Sequence, residues 1–126
     1  MTQITVSDGY RDGFVGENKI YIGRKSVKNN LPESPLHNPF SINEGCSREE
    51  SVAKFRRYLW EEIKRFMNRE KSLIVDELVR IYRLSLDSPV VLVCYCKPKD
   101  CHGDVIISAL NWLKDQSWFI DLVLPF

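Results

Sequence analysis

The chemistry-bearing residues of this chain crowd into one short stretch. Cys94, Cys96 and Cys101 lie within eight residues, and His102, Gly103 and Asp104 follow directly. A thiol at the start of a helix meets free backbone N–H groups and the positive end of the helix dipole, and both favour the thiolate. Lys97 and Lys99 add positive charge to the same loop. Cys101 is therefore a candidate nucleophile. His102 is a candidate general acid or base, because imidazole changes charge near neutral pH. The same turn also suits a bound phosphate or carboxylate, with Cys96, Gly103 and Asp104 as ligand-facing candidates.

Blander roles stand beside these. Cysteine is often buried simply to fill space, and Cys94, inside an apolar run, reads as packing. Cys96 and Cys101 divide between packing and chemistry, and His102 between catalysis and capping a helix or bonding a loop carbonyl. Zinc is the minority alternative to a cofactor-free site. Four soft ligands fall between Cys94 and His102, but structural zinc sites pair ligands two to four residues apart on separate knuckles. No Cys-x-x-Cys redox motif is present.

A second constellation lies upstream: Tyr21-Ile22-Gly23-Arg24 and Ser34-Pro35-Leu36-His37-Asn38-Pro39-Phe40. Gly23 at a strand end permits close approach by a ligand. Arg24 offers a planar fork suited to phosphate or carboxylate. Ser34 and Asn38 are polar groups in a proline-fixed loop. Arg48, beside a helix cap, could reach an anion, and Tyr21 or Tyr95 could stack on a base. His37 reads as a solvent-facing loop residue. The competing reading is a rigid structural loop with an exposed arginine.

The elements that must position these groups follow from periodicity and punctuation. Ile4–Val6 reads as a short strand, residues 7–16 as loop, and Lys19–Arg24 as a strand. Residues 25–46 hold three of the six prolines and read as a long irregular segment. Ser47-Arg48-Glu49-Glu50 is a capping box, and Val52, Phe55, Leu59, Ile63 and Phe66 follow at helical spacing. A second helix is expected from about Leu73 to Leu86, with Leu78, Ile81 and Tyr82 inward. Val90–Tyr95 reads as a strand covered on both faces. Asp104 is expected to cap a helix from Val105 to about Gln116, and Trp118–Leu124 to form a last strand. The tail aromatics Trp118, Phe119 and Phe126 are expected to cover the core. The pattern argues for an α/β fold: a small layered sheet, partly parallel, flanked by about three helices, in a single domain over residues 1–126.

Composition narrows the function classes. The 126 residues suit one core. Lys+Arg number 18 and Asp+Glu 17, so net charge speaks against a nucleic-acid partner. The longest apolar runs are far too short to cross a bilayer. Met1-Thr2-Gln3-Ile4 lacks the basic and apolar regions of a secretory signal, so a cytoplasmic setting with reduced thiols is expected.

Tyr21-Ile22-Gly23-Arg24, Ser34-Pro35-Leu36-x-Asn38-Pro39-Phe40, Ser47-Arg48-Glu49-Glu50 leading to Tyr58-Leu59, and Cys94-x-Cys96-x-Pro98-x-x-Cys101-His102-Gly103-Asp104 appear in that order. This resembles the family called domain of unknown function 4326, over roughly residues 19–110. Tyr95 stands where that family commonly has Trp, and His37 where it often has Gly. The closing Cys-His is also similar to domain of unknown function 488, over a shorter stretch. The resemblance implies a compact domain with one polar cleft.

The leading expectation is a binding domain for a nucleotide-like or other phosphorylated small molecule, in a cleft beyond the strand ends. The alternatives are a hydrolase or transferase on a nucleotide or nucleoside using Cys101 and His102, and a non-catalytic phage or bacterial interaction module. The oligomeric state is not legible.

Overall fold

The computed structural model describes residues 3–40, 42, 45–94 and 101–124. Among these residues three strands form one sheet: β1 (Ile4–Asp8), β2 (Lys19–Tyr21) and β3 (Val90–Cys94), in the order β1-β3-β2. Both pairings with β3 are parallel. Ile4 stands opposite Val90 and Lys19 opposite Val91 in the two ladders. β3 is the central strand, and its apolar run is buried at every position but Val91, as a strand covered on both faces requires. Asn18, in the left-handed region at φ 61°, leads into β2. Its side chain donates to the Ser88 hydroxyl at 2.6 Å, and its carbonyl accepts from the Val91 amide at 2.9 Å. These two bonds set the β2–β3 register.

Among the described residues, five helices accompany the sheet: α1 (Gly9–Asp12), α2 (Arg48–Met67), α3 (Leu73–Ser85), α4 (His102–Leu113) and α5 (Ser117–Val123). α2 begins as its capping box dictates, with the Ser47 hydroxyl accepting from the Glu50 amide at 3.1 Å. Phe55, Leu59 and Ile63 are buried, while Val52 and Phe66 pack partly buried at the margin. α3 buries Leu78, Ile81 and Tyr82 as its spacing predicts. Each fully buried side chain of this size contributes about 1.5–3 kcal/mol relative to exposure.

Val90, Leu92 and Cys94 face one core together with Ile20, Ile22 and residues of α2, α3, α4 and α5. Side chains alternate along a strand, so Val93 points to the opposite face, where it too is fully buried.

Three expectations are corrected. Trp118–Leu124 is not a strand: α5 spans Ser117–Val123. Phe119 and Val123, four apart, are both fully buried, and the Arg83 guanidinium donates to the carbonyls of Val123 at 3.1 Å and Leu122 at 2.8 Å. That docking on α3 overrides the β propensity of the aromatic run. Phe119 thus joins the core as expected, Trp118 packs beside it, and Phe126 lies outside the described residues. The 7–16 segment is not all loop. Asp8 caps the four-residue α1, its carboxylate accepting from the Tyr10 amide at 3.0 Å. The helix placed at Val105–Gln116 starts earlier, at His102, with Cys101 rather than Asp104 at the cap.

Candidate active and binding site at the strand ends

The carboxyl ends of parallel strands share one edge of a sheet, and β2 and β3 end there beside the amino end of α4. Cys101 takes the cap position with extended backbone, φ −145° and ψ 171°. Asp104, in the first turn, accepts from the Cys101 amide at 3.3 Å and closes a capping box. Asp104 therefore helps to fix the cap rather than being it. Gly103 has a packing reason to be glycine. A Cβ there would sit 3.0 Å from the Ile22 Cδ1 and from both Val6 methyls, so α4 lies directly on the sheet.

His102 faces inward. It is buried, its Nε2 donates to the Ile22 carbonyl at 2.7 Å, and Phe55 meets its ring edge-to-face at 5.1 Å between centroids. The bond puts the proton of a neutral ring on Nε2 and makes His102 a strut between β2 and α4. Cys101 is 2% exposed, and its sulfur lies 3.6 Å from that of Cys94. Cys94 therefore packs as expected, and its packing partner is the candidate nucleophile.

The upstream constellation is organised by its own backbone. The Gly23 carbonyl accepts from the Ser34 amide at 3.0 Å. A Cβ on Gly23 would run into the Tyr21 phenol, so the close neighbour that glycine admits here is Tyr21. The Tyr21 hydroxyl donates to the Arg24 carbonyl at 2.6 Å. Arg24 Nε and Nη2 donate to the Asn38 carbonyl at 3.0 and 2.8 Å. The Asn38 side chain accepts from the Phe40 amide at 2.9 Å and donates to the Ser51 hydroxyl at 2.9 Å. Ser51, fully buried on α2, donates its own hydroxyl hydrogen bond to the Phe40 carbonyl. The Ser34 hydroxyl accepts from the Leu36 amide at 3.0 Å. Ser34 and Asn38 thus shape the loop that holds Arg24. His37 is half-buried rather than solvent-facing, bonded through Nδ1 to the Ser34 carbonyl at 2.8 Å. Arg48 opens α2, partly buried.

The His102–Ile22 bond brings the ends of the two constellations together. Cys96, Lys97 and Lys99, and with them Tyr95, lie outside the described residues. Of the four soft ligands in the zinc alternative, Cys94, Cys101 and His102 are described and Cys96 is not. Among the described residues, no group of three or more His, Cys, Asp or Glu is gathered as metal ligands. Sequence reasoning missed Ser51 and the Ile22 carbonyl. Ser51 had a signal: it stands four residues before Phe55 and so shares the buried face of α2.

A three-stranded parallel sheet with helices docked on it, and a thiol–imidazole pair at the first turn of a helix, define this as a small α/β domain. A family model described as Domain of unknown function (DUF4326) matches residues 8–112, and the chain belongs to that family. Searches of the curated proteins and of the solved structures gave no match. Among the described residues, no helix is long and apolar enough to cross a membrane.

Proposed function

We propose that this chain is a binding domain for a nucleotide-like or other phosphorylated small molecule, held beyond the ends of β2 and β3 between Arg24 and the first turn of α4. One observation carries the reading: the 2.7 Å bond from His102 to the Ile22 carbonyl. It ties the strand end that bears Arg24 to the amino end of a twelve-residue helix. Open parallel sheets take their ligands at this edge, and a helix start favours an anion. The Asn38 carbonyl engages two of the five N–H donors of the Arg24 guanidinium. It orients the fork and leaves further donors for phosphate. No carboxylate pairs with Arg24 among the described residues. The same reading takes the setting to be the cytoplasm, where thiols stay reduced.

A hydrolase or transferase using Cys101 and His102 is the weaker reading. Both residues are buried, and the imidazole Nε2 is committed to a backbone carbonyl.

The test is a thermal-shift screen of nucleoside mono-, di- and triphosphates and inorganic phosphate. A ligand at ~100 times its Kd adds ~2.7 kcal/mol of stability. The expected result is a hit that Arg24→Ala weakens more than Arg56→Ala does, Arg56 being exposed on α2. Equal weakening by the two variants removes Arg24 from the site, and a screen without hits removes the reading.

A further inference from the structure

The contact between Cys94 and Cys101 goes beyond ligand binding. We propose that the two residues are a redox pair, whose thiols hydrogen peroxide converts to a disulfide joining the end of β3 to the cap of α4.

The sulfurs lie 3.6 Å apart, and each residue is 2% exposed. A disulfide bond is about 2.05 Å long, so the two sulfurs need approach by only about 1.5 Å. The pair belongs to two different elements, a central strand and the helix that follows it, and strand alternation turns Cys94 toward the same core as Cys101. Cys101 is the sulfur to react first, because it caps α4, where the helix dipole favours the thiolate. Burial shields both sulfurs from bulky disulfides, which need access to a sulfur for exchange, and selects for a small oxidant.

The Cys101 thiolate sulfur attacks one peroxide oxygen. The O–O bond breaks, and the departing hydroxide takes a proton and leaves as water. Cys101 is then a sulfenic acid. The Cys94 sulfur attacks that sulfenic sulfur, the S–O bond breaks, and the hydroxyl leaves as a second water with the Cys94 proton. Two thiols lose two electrons and two protons, and one peroxide becomes two waters.

The experiment treats the full chain carrying Cys46→Ser and Cys96→Ser with hydrogen peroxide, and the unaltered chain in parallel. Trypsin separates the two sulfurs at Lys99, so a bond between them appears as a linked peptide pair. The expected result in both chains is loss of two hydrogen atoms, one linkage between Cys94 and Cys101, and reversal by dithiothreitol. Adding Cys94→Ser should replace the linkage by oxygen addition at Cys101. Any of these results overturns the proposal: linkage of Cys101 to Cys96 in the unaltered chain, oxygen addition without linkage in the chain carrying Cys46→Ser and Cys96→Ser, or a linkage that forms no faster in the folded protein than in urea. Stoichiometric zinc in the reduced, purified chain also overturns it, because the thiolates would then be metal ligands.

Discussion

The His102 ring and the Ile22 carbonyl, eighty residues apart in sequence, are joined by a 2.7 Å hydrogen bond in a buried setting. Removing the ring leaves a carbonyl without its partner inside the core, a loss of about 1–3 kcal/mol. His102→Ala should therefore lower the urea midpoint by that amount, with part of the loss from the Phe55 contact. A change below about 0.5 kcal/mol, the range of ordinary surface substitutions, would show that the bond does not hold the two elements together.

Gly103→Ala tests the close seating of α4. The added methyl meets two Val6 methyls and Ile22 Cδ1, each at 3.0 Å. Overpacking of this kind costs about 1–3 kcal/mol, and it outweighs the gain in helix propensity from alanine, about 1 kcal/mol. Net destabilisation in urea melts is the expected outcome. A stabilised variant would mean that the helix can lift off the sheet at no cost.

Ser51→Ala should act on the loop and only through it on ligand binding. The hydroxyl bridges the Asn38 side chain and the Phe40 carbonyl, so its loss removes two part-buried hydrogen bonds and costs about 0.5–1.5 kcal/mol for each. Asn38 is also the residue whose carbonyl orients Arg24. Amide hydrogen exchange should accelerate at Phe40, whose N–H is held by Asn38. Unchanged exchange there would separate Ser51 from the loop.

Tyr58 supplies a pH dependence. Burial, reinforced by the Glu62 carboxylate, raises its phenol above the ordinary tyrosine range. The folded state therefore holds the proton more tightly than the unfolded state. Its contribution is complete below the unfolded pKa of about 10 and is lost as pH rises through the folded value. Alkaline unfolding should be less steep in Tyr58→Phe than in the unaltered chain. Identical steepness would place the phenol in free solvent.

The long elements were legible in the residues because several signals agreed. For α2, the Ser47–Glu50 cap and the Phe55, Leu59, Ile63 stripe point to the same helix. For β3, the β-branched run stands between a Ser-Pro break and the cysteine loop. α5 departs from the strand that its residue types predict: Trp118, Phe119 and Ile120 are strand formers by type, and the helical spacing shows in the buried pair Phe119 and Val123. Polar loop residues were the hardest to interpret. Ser34 and Asn38 read as groups held in a proline-fixed loop, and Arg24 as a fork for an anion or an exposed arginine. Residue type alone does not say whether an amide or guanidinium serves a ligand or the chain's own carbonyls, and here the first partners are backbone. The Cys94–Cys101 contact was within reach of period-two reasoning, since Cys94 shares its face with Val90 and Leu92. Its apolar surroundings drew attention to packing instead.

The strand order β1-β3-β2 has a consequence for how the molecule comes into being. Among the described residues the two early strands do not pair with each other, and each has its ladder partner in Val90–Cys94. During synthesis the amino-terminal two-thirds must leave the ribosome with no sheet at all, its helices available but its strands waiting. Closing such distant pairings is slow compared with forming local helix contacts, so the late arrival of one five-residue segment times the whole assembly.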